Sequence, residues 1–230
     1  MSTLCPVYRR NLFRLNVLLC TLAWLGGIWY LVHGGLAVKI PASFCFFLLG
    51  CVNTFCLWRS TAVRRPFVLA MLAGLLLGLA ADIALELDFL GGAATFALGH
   101  ICYLAAYCLL YPLKWRDMLL CSAVFLPCLG LILFLPVLEY GSSFMEGVVI
   151  VYALVICLML GKALSNYLRS PAKLTKYLLL GSGLFFFSDF MLLFAFYSDA
   201  GRITNILCLN TYYPGQAILA ASIFLCADSD

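Results

Sequence analysis

Along the chain, apolar stretches of ~20 residues, the length that crosses a bilayer as a helix, alternate with short clusters of charge and turn-forming residues. The pattern predicts helices over 12–32, 38–58, 66–89, 93–113, 117–137, 147–164, 174–197 and 204–226. The expected fold is all-α: one polytopic transmembrane bundle of eight helices, forming a single domain over 1–230. The stretch from Leu12 to Leu31 is longer than the core of a signal peptide and lacks a small-residue cleavage site after it, so it reads as an uncleaved first helix. The fifth and sixth spans are the least polar. The third, fourth, seventh and eighth carry the interior polar groups.

Composition and charge sharpen this picture. Hydrophobic residues make up 65% of the chain and charged residues 10%, with a mean hydropathy of +1.08. A soluble domain needs about a quarter of its residues charged, so this surface must face lipid. Arg9, Arg10 and Arg14 flank the first span, and Arg59, Arg64 and Arg65 lie between the second and third. Lys114 and Arg116 join the fourth to the fifth, while Lys162, Arg169, Lys173 and Lys176 gather near the sixth-to-seventh connection. Twelve of the 14 lysines and arginines thus fall on one side, leaving only Lys39 and Arg202 on the other. The positive-inside rule makes that side cytoplasmic and puts both termini there. The net charge of +4 expresses this orientation, not an affinity for nucleic acid. The plasma (cytoplasmic) membrane is the expected location, an organelle membrane the other possibility.

Ionisable groups inside a membrane are costly and usually face the bundle interior. Asp82 and Asp189 end similar phrases, GLLLGLAAD from Gly74 and GSGLFFFSD from Gly181, each with a glycine eight residues earlier on the same helix face. The likeness is a faint internal repeat, and the glycines would let neighbouring helices come close. Asp82 lies about eight residues, or ~12 Å, from the non-cytoplasmic end of its span. His100, Asp189 and Tyr212 fall at similar depth, with Tyr213 and Gln216 within a turn of Tyr212 and Glu86 one turn above Asp82. The less specific readings are interhelical hydrogen bonding for the aspartates and His100, interfacial solvation for Glu86, snorkelling for Lys39 beside Pro41, and an aromatic belt for the tyrosines. Pro214 frees the carbonyl of Asn210 and predicts a local opening in the eighth helix. The 12 cysteines are scattered through apolar stretches without a Cys-x-x-Cys pair, as packing residues are. With only His33 and His100 available, a zinc site would be carboxylate-heavy, which suits zinc poorly; no metal and no cofactor are expected.

Two carboxyl groups removed from water resist being ionised together, so one can stay protonated while the other is charged. Such a pair can form and capture an oxocarbenium-like species, and it can equally serve a proton-coupled carrier. The polar phrases resemble those of the lysoplasmalogenase (YhhN-like) family of integral membrane proteins. The matching pieces are KIP at Lys39, ADIAL at Ala81, FALGHICYLAAY from Phe96 to Tyr107, FFFSDFML around Asp189 and TYYPGQAIL around Gln216, in the family's order and spacing. Many members have glycine where this chain has Ala81. The resemblance implies an ether hydrolase that cleaves the sn-1 vinyl ether of a lysophospholipid substrate with water. The products are a fatty aldehyde and glycerophosphoethanolamine or glycerophosphocholine. It points to Asp82 and Asp189 as the catalytic pair. Lys39 is then expected at the substrate phosphate, with Glu86, His100, Tyr103, Tyr212, Tyr213 and Gln216 lining or supporting the polar pocket. The alternative is a proton-coupled transporter or receptor for a lipid or small molecule.

Overall fold

In the computed structural model, residues 6–58 and 64–226 are described, with side chains from Arg10 onward. Arg59 and the side chain of Arg9, two of the charges used to orient the chain, lie outside the described residues. The described residues form eight helices: α1 (Pro6–His33), α2 (Leu36–Leu57), α3 (Arg65–Leu87), α4 (Phe89–Leu110), α5 (Trp115–Phe134), α6 (Ser143–Arg169), α7 (Lys173–Tyr197) and α8 (Gly201–Leu225). This is the expected all-α bundle, and α1 to α7 are long and apolar enough to cross a membrane.

Local chemistry sets the connections. Gly34 and Gly35 turn the chain between α1 and α2 at φ of 65° and 81°, a conformation glycine adopts without steric cost. Between α3 and α4 the break is Asp88 alone, whose carboxylate accepts from the Gly91 amide at 2.6 Å and caps α4. The sequence pattern started α4 at residue 93, after two glycines; the cap at Asp88 moves that start to Phe89.

The tightest packing is between α3 and α4 and between α7 and α8, and α5 packs mainly on α6. The two glycines of the repeated phrase sit in these contacts. A Cβ on Gly74 would lie 2.5 Å from the Tyr103 ring of α4, and one on Gly181 would lie 2.8 Å from Leu219 and 3.1 Å from the Gly215 carbonyl of α8. Helix α8 packs against α1, α2, α3 and α7, which shields its Tyr212, Tyr213, Gln216 and Ser222 from lipid. It runs as a single helix through Pro214.

Helix α6 departs most from expectation. It extends five residues beyond the expected end at 164, and Lys162, read from sequence among the cytoplasmic charges, is fully buried. Its ammonium pairs with Asp117 of α5 at 2.6 Å. Arg169 reaches the same carboxylate at 2.9 Å, and the Ser165 hydroxyl donates to it as well. A buried carboxylate with two cations and a hydroxyl is well compensated, and the cluster fastens α5 to α6.

Candidate active site

Helix α3 carries Asp82 into the interior, where its side chain is 4% exposed. Its Oδ2 accepts from Ser43 of α2 at 2.5 Å and from Tyr212 of α8 at 2.7 Å. Lys39 stands one turn before Ser43 on α2, and its Nζ is 4.0 Å from Asp82 Oδ1 but only 3.0 Å from Glu86 Oε1. The Tyr30 hydroxyl of α1 donates to the same Glu86 oxygen, and the ammonium lies 5.1 Å above the Tyr30 ring. Lys39 is therefore turned toward carboxylates and a π face, and is 5% exposed.

Helix α7 brings in Asp189. Its Oδ2 accepts from the Tyr152 hydroxyl at 2.6 Å and lies 3.1 Å from His100 Nε2, while Ser188 donates to Oδ1 at 3.3 Å. The Tyr152 oxygen is 3.0 Å from His100 Nε2. Because the tyrosine proton goes to Asp189, the histidine nitrogen acts here as the donor. The two carboxyl groups are joined by an aromatic wall. The Tyr212 and Phe185 ring centres are 5.3 Å apart, and Phe185 and His100 are 4.6 Å apart.

The supports are reciprocal. Asp82, on the α3–α4 pair, is held by Tyr212 of α8, and Asp189, on the α7–α8 pair, is held by His100 of α4. Each pair thus supplies one acid and one residue that holds the other pair's acid.

Both aspartates, together with Lys39, Glu86, Tyr30 and Tyr212, line a cleft of about 880 Å³. A second, almost wholly apolar pocket of about 70 Å³ lies among α3 to α7, lined by residues such as Ile132, Val149, Ala153 and Phe186. The two cavities share Leu85, Phe96, Asp189 and Leu192. Asp189 is thus the polar group where the charged cleft meets the apolar slot.

The residues placed at one depth by sequence do not all share the cavity. Tyr103 and Gln216 bond to each other at 2.7 Å and, like Tyr213, line neither cavity. They brace α4 and α8 behind the cleft wall, and the Gln216 amide fills the space a Cβ on Gly78 would need. His100 also lines neither cavity and meets the cleft through its bond to Asp189. Ser43, Tyr30 and Tyr152 were missed in the sequence. Tyr152 lies nine residues into α6, ~14 Å along the axis and near the level of His100, but the span expected from residue 147 placed it too close to the helix end to be singled out. Helix α6 is apolar as expected, yet it too supplies a polar group to the interior, so these groups are not confined to α3, α4, α7 and α8. Among the described residues, no three His, Cys, Asp or Glu side chains are grouped to hold a metal ion.

No curated protein and no solved structure matches the chain. The model of the YhhN family matches residues 38–223, a stretch that begins at the foot of α2 and reaches the last turn of α8. It takes in Lys39, Ser43, Asp82, Glu86, His100, Tyr152, Asp189 and Tyr212, and the chain belongs to this lysoplasmalogenase-like family of membrane proteins.

Proposed function

We propose that this protein is a membrane-embedded ether hydrolase that cleaves the sn-1 vinyl ether of lysoplasmalogens, releasing a fatty aldehyde and a glycerophospho-alcohol. The observation that carries this reading is the meeting of a charged cleft and an apolar slot at Asp189. A single-chain lipid laid across that junction has its headgroup among polar side chains and its first chain carbons among Phe96, Val149 and Phe186. The slot, of about 70 Å³, receives the reactive end of the chain. The rest of the chain is left to the lipid-facing surface.

The hydrogen bonds divide the two acids. Asp189 accepts from Tyr152, His100 and Ser188, which suits an ionised carboxylate. Asp82 receives both of its donors on Oδ2, leaving Oδ1 to carry a proton. In this scheme Asp82 gives that proton to the vinyl carbon distal to the ether oxygen, and the adjacent carbon becomes an oxocarbenium ion. Asp189 stabilises the cation and takes a proton from the attacking water, forming a hemiacetal. Collapse returns the hemiacetal hydroxyl proton to Asp82, while Asp189 hands its proton to the departing glycerol oxygen. One water is consumed, and both carboxyls are reset.

The test is aldehyde release from lysoplasmenylethanolamine by purified protein in detergent. Wild type should release aldehyde, and Asp82→Asn and Asp189→Asn should each lose about 10²-fold or more of that rate with helical content retained. Absence of release by folded wild type would overturn the assignment. Passage of intact lipid across vesicles bearing the protein would then favour a carrier.

A further inference from the structure

The cleft contains a cation that the proposed chemistry does not use. Lys39 and Arg202 are the two basic residues that the charge pattern leaves off the cytoplasmic side, and both line this one cleft. Their states differ. Lys39 is buried and neutralised by Glu86 at 3.0 Å, so it has little positive charge left for a substrate anion. Arg202 is exposed at the start of α8, and among the described residues no carboxylate lies within ion-pair distance of it. Asn205 follows one turn later and also faces the cleft.

We infer that Arg202, assisted by Asn205, is the seat of a phosphate group at the mouth of the cleft, and that Lys39 is not. A guanidinium presents paired N–H donors that match two phosphate oxygens, and the side-chain amide of Asn205 adds a neutral donor. Arg202 precedes Tyr212 by ten residues, which is ~15 Å along α8. The extended glycerol of a lysophospholipid and an arginine side chain, placed end to end, cover a distance of that order. The phosphate would then sit at Arg202 while the ether reaches Asp82 and Asp189. This rests on the lysoplasmalogen reading for its substrate, but the anion site can be tested without turnover.

The experiment measures binding to purified protein in detergent, comparing wild type, Arg202→Gln and Arg202→Lys. The probes are a non-hydrolysable alkyl-ether lysophosphatidylethanolamine, the matching 1-alkylglycerol without phosphate, and inorganic phosphate. The expected result is that Arg202→Gln binds the phospholipid about tenfold more weakly, as loss of a charge-assisted hydrogen bond implies. Arg202→Lys should recover part of the loss, and alkylglycerol binding should not change. Arg202-dependent binding of inorganic phosphate, without Arg202-dependent binding of the lipid, would identify a free phosphate ion as the ligand and overturn the headgroup assignment. Equal binding of every probe to wild type and Arg202→Gln would overturn the site. If the phospholipid binds through Arg202 yet no vinyl ether is cleaved, the hydrolase reading fails and the anion site stands. If cleavage proceeds with unchanged KM in Arg202→Gln, the anion site fails and the hydrolase stands.

Discussion

Glu86 sits at the rim of the cleft, yet its effect is felt deeper, through Lys39. By pairing with the ammonium at 3.0 Å, it keeps that charge from settling on Asp82, whose Oδ1 is 4.0 Å away. Without Glu86, Lys39 is a buried cation with one carboxyl in reach, and a buried charge takes whatever partner it can find. Asp82 would then be held ionised by Lys39 and could no longer donate a proton. Glu86→Gln is therefore expected to lower kcat by roughly tenfold or more, within the range of general acid catalysis, with little change in KM. The double variant Lys39→Met/Glu86→Gln should recover part of the lost rate, because it removes the competing cation. A double variant no better than Glu86→Gln alone would show that Glu86 acts in some other way. The sequence marked Glu86 as a candidate but gave no partner for it. Its partner Tyr30 comes from α1, and only packing brings the two together.

At the scale of the helices, the repeated phrases have a structural meaning. Each aspartate-bearing helix has a glycine where its neighbour closes in, a ring edge at Gly74 and a helix backbone at Gly181. In a membrane, helices gain from close packing because apolar contact with lipid is already available. A side chain at Gly181 would push α8, with Tyr212, away from α7 and Asp189. Gly181→Val should cost about 1–3 kcal/mol, as overpacking does, and lower activity with it. Gly183→Val, two residues on where nothing lies within 4 Å, should be nearly silent. Thermal unfolding in detergent separates the two, and equal melting temperatures would refute the packing argument. The helix pattern was legible because lipid demands long apolar runs; Tyr152 was overlooked because one tyrosine hydroxyl barely alters the hydropathy of a 27-residue helix.

Over the whole molecule, the two ends differ. Tyr30, Lys39, Glu86 and Arg202 converge on the cleft, while Asp117, Lys162 and Arg169 form the buried ion cluster at the other end. If the positive-inside rule holds, the cleft opens on the non-cytoplasmic face and both chain ends are cytoplasmic. A reporter fused to the C-terminus should be active only as a cytoplasmic fusion. A membrane-impermeant thiol reagent added to the non-cytoplasmic face should label Arg202→Cys above the background of the native cysteines. Labelling of Arg202→Cys from the cytoplasmic face alone would invert the topology. The apolar slot and the cleft both reach Asp189, the arrangement that the proposed half-lipid, half-polar substrate requires.

The sequence by itself determined the class of fold and the number of helices. Each of these follows from the cost of exposing charge or unsatisfied backbone to lipid, and that cost is paid residue by residue along the chain. Which groups meet at a given depth was decided only by the tertiary structure. Asp82 bonds to Tyr212 across 130 residues of chain and Asp189 to His100 across 89. Such pairings depend on how helices are rotated and ordered around one another, and a hydropathy pattern is blind to both. The same blindness hid the burial of Lys162 and the turning of Lys39 toward Glu86: a charge near a helix end reads alike whether its partner is water, a headgroup or a carboxylate on the next helix.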